Sequence, residues 1–157
     1  MYQTDVMTGL YNRVGCMKEF TILSDSLRPL NGSITFVMAD MNKLKYINDT
    51  FGHNEGDSAI CAVADCIVSA LPDNAVCGRI GGDEFIAFFG TQCDNSAIAE
   101  KIKESIAKYN RTSGKPYEIS ASIGVISKVV DNTCDMEDFV SESDKLMYIE
   151  KNKTHSN

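Results

Sequence analysis

Hydrophobic positions recur at two periods along this chain, and each period predicts one type of element. From Asn12, apolar side chains recur at helical spacing, which predicts a first helix ending before Pro29. After a turn at 31–33, the β-rich and largely apolar run 34–39 is typical of a buried strand, and it ends at Asp40.

Further along, the pattern predicts a short helix over 42–51, a loop over 52–57 and a longer helix broken at 72–74. Two short β-rich runs around Gly81 and Gly82 indicate a hairpin. A helix with apolar positions from Ile98 to Tyr109, a strand-like stretch over 117–127 and a last helix follow. The order α, β, α, α, β-hairpin, α, β, α predicts an α+β domain. We expect one sheet covered by helices, partly antiparallel because of the hairpin.

Composition limits the classes of function. The 157 residues suit one domain, and the net charge of −7 argues against a broad electrostatic grip on nucleic acid or anionic lipid. Asp65 interrupts the longest apolar stretch, which falls short of the about 18 residues of a membrane span. The N-terminus lacks the basic region of a secretory signal.

Six cysteines occur without a CxxC pair, mostly in apolar contexts: Cys16, Cys61, Cys66, Cys77, Cys93 and Cys134. A domain of this size needs no disulfide framework, so buried free thiols are expected. Reduced thiols predict a cytoplasmic protein.

Three acidic residues carry the candidate chemistry. Asp40, directly after a buried strand, is either the N-cap of the following helix or a metal ligand. Asp83 and Glu84 sit in the glycine hairpin, which as a plain turn needs no second acid. If the Asp40 strand neighbours the hairpin, a spacing of about 4.8 Å puts these carboxylates within reach of one ion. Oxygen ligands without sulfur or imidazole favour Mg²⁺ or Mn²⁺.

Other polar positions leave two interpretations open. Gly81 and Gly82 form either a tight turn or a stretch of backbone whose N–H groups approach phosphates. Without Cβ atoms, both residues could also adopt φ above zero. Asn48 and Asp57 could read a guanine edge, whereas Asp57 alone could be an acid of the first helical turn. Several lysines either contact phosphates or form a solvated face: Lys45, Lys145, Lys151 and Lys153.

Several familiar motifs do not occur in the sequence. It contains no P-loop, no GxGxxG fingerprint, no HExxH zinc motif and no G-x-S-x-G elbow. The stretch from Asp40 is not an EF-hand loop, since Leu44 stands at its fifth position.

Residues 81–85 read GGDEF, and the chain resembles the GGDEF family of diguanylate cyclases. Residues 5–13 are similar to the family's opening DxLTGLxNR. Residues 40–57 are similar to its D-x-[DN]-x-x-K-x-x-N-D-x-x-G-H-x-x-G-D block, and residues 122–124 and 144–151 to its C-terminal signatures. The resemblance covers nearly the whole chain in order.

The resemblance implies a palm-like domain, like that of nucleotidyl cyclases, with a central, mainly antiparallel sheet flanked by helices. It implies that two facing domains, each holding one GTP, condense two GTP molecules to cyclic di-GMP and release pyrophosphate. By position, Mg²⁺ would be bound by Asp40, Asp83, Glu84 and the Met41 carbonyl. Asp83 or Glu84 would take the proton of the 3′-hydroxyl group.

The resemblance also assigns substrate contacts. Guanine would be held by Asn48 and Asp57 with His53 nearby, and the phosphates by Lys45, Lys151 and the Gly81-Gly82 turn. The resemblance thus predicts GTP as substrate and a homodimer for turnover. Neither a nucleic-acid partner nor a membrane segment in this chain is expected.

Three parts of the family pattern are changed in this chain. Asn42 stands where many members have aspartate, and Pro72 and Ala75 replace the Arg and Asp of the RxxD product site. Thr154-His155 replaces the expected Gly-Arg. The loss of this phosphate-binding arginine, or absent dimerisation, leaves a second hypothesis, a catalytically weak module that binds GTP as a regulatory domain. We expect residues 1–157 to form a single GGDEF domain, either a minimal protein or one excised from a longer sensor.

Overall fold

In a computed structural model, which describes residues 2–90 and 95–155, the nine predicted elements form in the expected order. The helices are α1 (Arg13–Leu27), α2 (Leu44–Phe51), α3 (His53–Ala70), α4 (Asn95–Thr112) and α5 (Met136–His155). The strands are β1 (Ser33–Met41), β2 (Val76–Arg79), β3 (Glu84–Phe89) and β4 (Ala121–Val129). A short 3₁₀ turn, Arg28–Leu30, follows α1.

The four strands form one sheet in the order β2-β3-β1-β4, and every neighbouring pair is antiparallel. The predicted α+β class and antiparallel sheet are therefore confirmed. Strand β1 is central because it pairs with β3 on one side and β4 on the other. A central strand covered on both faces has no polar face, which explains the continuous apolar run that predicted it.

Alternate residues of β1 enter two separate cores. Val37, Ala39 and Met41 pack towards the face covered by α2, α3 and α4. Ile34, Phe36 and Met38 pack on the opposite face, which α1 and α5 cover. Because side chains alternate along a strand, Asp40 belongs to the α1 and α5 face, next to the C-terminal helix.

Two local predictions were wrong. The stretch 52–57 is not a loop, because α3 begins at His53 and only Gly52, with φ of +95°, separates it from α2. Sheet pairing of the strand-like stretch from Tyr117 begins only at Ala121. Residues 117–120 lie outside the sheet.

Five of the six cysteines lie in the described ranges, and all five are free thiols: Cys16, Cys61, Cys66, Cys77 and Cys134. Cys93 lies outside the described residues. Burial raises the pKa of the Cys16 thiol to about 12, with a smaller contribution from Cys77. Among the helices of the described residues, none is long and apolar enough to span a bilayer.

Candidate functional site

Acidic residues face each other at one end of the sheet. In the register of β1 and β3, Asp40 pairs with Glu84, and the Met41 amide donates a 2.8 Å hydrogen bond to the Asp83 carbonyl. Like charges directly opposite on neighbouring strands destabilise a sheet. The hairpin and β1 are thus neighbours, as the acidic-site hypothesis requires, and the pairing creates a demand for a cation.

Burial and neighbouring negative charge raise the pKa of two of these acidic residues, Asp83 and Glu84. Burial, followed by the Asp40 carboxylate, raises the pKa of Asp83. Burial, followed by the charges of Asp40, Asp83 and Asp144, also raises the pKa of Glu84, while Arg13 opposes the shift. A raised pKa makes both carboxylates better proton acceptors than isolated acids.

One cation comes from α5. The Lys151 ammonium donates a 2.7 Å hydrogen bond to Asp40 Oδ2, and both side chains are largely shielded from solvent. The second oxygen, Asp40 Oδ1, is buried and accepts no hydrogen bond from the described residues. A buried carboxylate oxygen without a partner is costly, and it is a natural position for a positive ligand.

This donor set fits a divalent cation. Within the described ranges, no three acidic, histidine or cysteine side chains converge closely enough to enclose an ion by themselves. Mg²⁺, however, is usually held by one or two carboxylates, with water and substrate phosphates completing its shell. Asp40 with its unpaired oxygen, the neighbouring Asp83 and the opposing Glu84 supply carboxylates of this kind.

The alternative interpretation of Asp40 as a helix N-cap is wrong. The residue at the N-cap of α2 is Lys43, in the left-handed region with φ of 61°, and no side chain caps that helix.

Asn42 is buried and its side chain is used within the fold, since the side-chain amide donates to Ser120 Oγ and accepts from Ser122 Oγ. Met41, the last residue of β1, has a buried side chain.

The Gly-Gly turn is fixed by a residue that sequence reasoning missed. Arg79 donates from Nε and Nη2 to the Gly82 carbonyl, at 3.1 and 2.8 Å, and from Nη1 to Asp5. Neither glycine has a positive φ, so the turn does not use the left-handed backbone that glycine allows. A Cβ at Gly82 would meet no atom within 4 Å, so neither conformation nor packing requires glycine there.

Asn48 and Gly56 meet where α2 joins α3. A Cβ at Gly56 would overlap the Asn48 amide, so glycine there lets the two helices approach. Asp57 is exposed and lies beyond the first turn of α3, where Glu55 is the acid, so the first-turn interpretation of Asp57 is wrong.

His53 and Lys45 are exposed, and neither makes a hydrogen bond or ion pair among the described residues. Most predicted site residues fall into two groups, while Lys45, the second residue of α2, makes no contact within the described ranges that joins it to either. One lies at the sheet end, with Asp40, Asp83, Glu84 and Lys151, and the other lies at the α2–α3 junction.

Comparison with known proteins agrees with this architecture. The family profile described as "Diguanylate cyclase, GGDEF domain" matches residues 2–157. The chain is 34% identical over 151 residues to the diguanylate cyclase DgcP of Escherichia coli, covering 94% of this chain and 44% of the relative. It is 34% identical over 153 residues to the probable diguanylate cyclase DgcJ of the same organism, covering 98% and 30%. The chain thus spans less than half the length of these curated relatives.

Solved structures share the fold. Diguanylate cyclase SiaD of Pseudomonas aeruginosa, solved with its activator SiaC, matches with a TM-score of 0.84 and 25% identity, over 96% of this chain and 58% of that one. The GGDEF domain of DgcB from Caulobacter crescentus, solved with c-di-GMP, matches with a TM-score of 0.83 and 23% identity, over 98% and 92%. With its family profile, its curated relatives and its fold in agreement, this chain belongs to the diguanylate cyclase family of GGDEF domains.

Proposed function

We propose that this domain is a diguanylate cyclase that condenses two GTP molecules to cyclic di-GMP and two pyrophosphates. The observation that carries the proposal is the acidic end of the sheet, where Asp40 opposes Glu84 and one buried Asp40 oxygen has no partner. A fold of this family with a cation-demanding carboxylate site suits phosphoryl chemistry, in which positioning and charge neutralisation supply most of the catalysis.

Asp40, Asp83 and Glu84, with the Met41 carbonyl, would hold Mg²⁺ or Mn²⁺. The bound ion would neutralise charge developing on the triphosphate. The protein itself has a net charge of −7, so local cations are needed before a triphosphate can bind. Lys151, already at this site, and Lys45 on α2 would contribute to phosphate binding.

The exposed Gly82 backbone would approach the phosphates. The absence of a Cβ keeps this position open, and the Arg79 guanidinium fixes the turn through the Gly82 carbonyl. At the α2–α3 junction, Asn48 and Asp57 would bind the guanine edge, the amide by donating and accepting and the carboxylate by accepting from N–H groups. His53 would lie near the base.

Each turnover joins two nucleotides. The 3′-oxygen of one GTP attacks the α-phosphorus of the other, the bond to pyrophosphate breaks, and the 3′-hydroxyl proton passes to Asp83 or Glu84. Repeating the step in the opposite sense closes the ring, so two domains facing each other as a homodimer would each supply one GTP.

The test is incubation of the protein with GTP and Mg²⁺ at several protein concentrations, with products separated by mass. We expect cyclic di-GMP, formed at a rate that rises faster than linearly with protein concentration. Asp83→Asn should lower the rate at least about 100-fold, the scale of a lost proton acceptor or metal ligand. Excess Mn²⁺ should partly restore a variant that lost only a metal ligand, so whichever of Asp83→Asn and Glu84→Gln stays inactive identifies the base.

Glu142→Gln is the matched control, because Glu142 is an exposed acid of α5 that pairs with Lys128 on β4. This variant should retain full activity. GTP binding without product, repeated on a protein dimerised through a fused helix, would contradict the cyclase. That outcome would favour the regulatory GTP-binding module. Thr154-His155 in place of Gly-Arg is the sequence feature that favours this second candidate.

A further inference from the structure

The segment 113–120, between α4 and β4, contacts the α2–α3 junction through two side chains. The Lys115 ammonium donates to Glu55 Oε1 and Oε2 at 2.8 and 3.1 Å. The Tyr117 hydroxyl donates to Glu55 Oε1 at 3.1 Å and lies 3.3 Å from the Glu55 carbonyl oxygen. Glu55, in the first turn of α3, therefore accepts from both.

Tyr117 contacts both helices at once. Its ring packs on Phe51, the last residue of α2, with ring centroids 5.3 Å apart, while its hydroxyl reaches Glu55 on α3. The side chain is buried, with 8% exposure, so its position is determined by packing. Only Gly52 separates the two helices along the chain, and a single residue with a positive φ does not by itself fix their relative orientation.

The segment is itself anchored to the rest of the fold. The Asn110 side chain bonds both the N–H and the carbonyl of Ile119, each at 2.8 Å. The Asn42 amide, just after β1, donates to the Ser120 carbonyl at 2.9 Å. Tyr117 and Lys115 thus transmit the position of α4 and the end of β1 to the α2–α3 junction.

We propose that Glu55, Lys115 and Tyr117 form a clamp that positions Asn48 and Asp57 and thereby sets selectivity for guanine; the inference rests on the proposed function. Glu55 adjoins Gly56, which packs on the Asn48 side chain, and lies two residues before Asp57. Polar recognition of a base requires that the hydrogen-bonding groups be held within about 0.5 Å of their productive positions. A site that hydrogen-bonds a substrate N–H also rejects analogues that lack it.

The experiment measures equilibrium affinity for guanosine and inosine triphosphates whose α,β-bridging oxygen is replaced by methylene, so that neither is cleaved. Inosine lacks the 2-amino group that Asp57 would contact. We expect Tyr117→Phe and Glu55→Ala to lower the guanosine-to-inosine affinity ratio about fivefold, the scale of one hydrogen bond. Glu55→Gln should keep most of the ratio, because its amide oxygen still accepts from Tyr117.

Lys115→Met is a further variant of the clamp. Because Lys115 is exposed, this change tests the clamp without disturbing the buried ring of Tyr117. Glu142→Ala is the matched control: it removes an ion pair of the same 2.8 Å length that does not involve α2 or α3, and its ratio should equal that of the wild type. All affinities are measured at a temperature well below the melting temperature of each variant.

The two proposals fail separately. A wild-type protein that binds the guanosine and inosine analogues equally would overturn guanine recognition itself. A wild-type preference for guanosine that persists unchanged in Tyr117→Phe, Glu55→Ala and Lys115→Met would overturn the clamp alone.

Discussion

At the scale of single residues, the position of Asp40 explains most of the candidate site. It is the last polar side chain of a central strand, it opposes Glu84, and Lys151 bonds only one of its oxygens. Burying an unpaired carboxylate oxygen is costly. The presence of such an oxygen at this position agrees with a cation-binding role.

Gly82→Ala separates a ligand-binding role from a structural one. A Cβ there would contact nothing, and the residue is exposed. We therefore expect the free energy of unfolding to change by less than about 0.5 kcal/mol. The affinity for an uncleavable GTP analogue should fall, since the methyl group occupies space through which the phosphates approach. Urea unfolding and calorimetric titration measure the two quantities.

Gly81→Ala is the comparison variant at the neighbouring glycine. A Cβ at Gly81 would lie 3.1 Å from Glu84 Oε1, an atom that can move, so the fold can accommodate the change. An unchanged affinity in Gly82→Ala would contradict the proposal that this turn approaches the phosphates.

At the scale of elements, Gly124 determines how closely α5 approaches β4. A Cβ there would overlap the Ser143 carbonyl and the Met147 amide of α5, so the helix backbone lies directly on the strand. Glu150, further along α5, accepts a hydrogen bond of 3.0 Å from the Ile123 amide. These two contacts set the position from which Lys151 reaches Asp40.

Gly124→Ala should destabilise the protein by about 1–3 kcal/mol, because an added methyl group overpacks a backbone contact that cannot yield easily. The melting temperature should fall by about 2–4 °C per kcal/mol for a domain of this size. Ser141→Ala, on an exposed position of the same helix, is the control and should change little. Wild-type stability in Gly124→Ala would show that α5 does not rest on β4 at this point.

The elements also show where sequence patterns stop being informative. Residues 52–57 contain two glycines and polar side chains, which favours a loop. Contacts with α2 and with Tyr117 nevertheless hold residues 53–57 as the start of α3. Tyr117 and Ile119 alternate like strand residues because they are buried, although their segment lies before the sheet pairing of β4 begins. A hydrophobic period of two indicates that alternate side chains are buried. It does not reveal whether a neighbouring strand pairs with the segment.

At the scale of the whole molecule, the family's product-inhibition pattern is missing. Pro72 stands where the resemblance expects Arg and Ala75 where it expects Asp, in the turn between α3 and β2. We expect added cyclic di-GMP not to slow the reaction through this surface, because both the Arg and the Asp of that pattern are absent from their positions. Initial rates measured against product concentration test this.

A Pro72→Arg/Ala75→Asp double variant supplies the gain-of-function control and should acquire inhibition. Inhibition of the wild-type protein, with product bound at residues 72–75, would contradict the prediction.

The sequence alone determined the elements and their order, because hydrophobic period and turn residues are local properties. It also located the acidic hairpin, since Asp83 and Glu84 are adjacent along the chain. Tertiary structure decided which distant residues meet. Lys151 reaches Asp40 from 111 positions away, Arg79 fixes Gly82 and Asp5 together, and segment 113–120 contacts the α2–α3 junction. A hydrophobic period reports that a face is buried, but only the packing of the helices on the sheet determines which charged side chain lies against it.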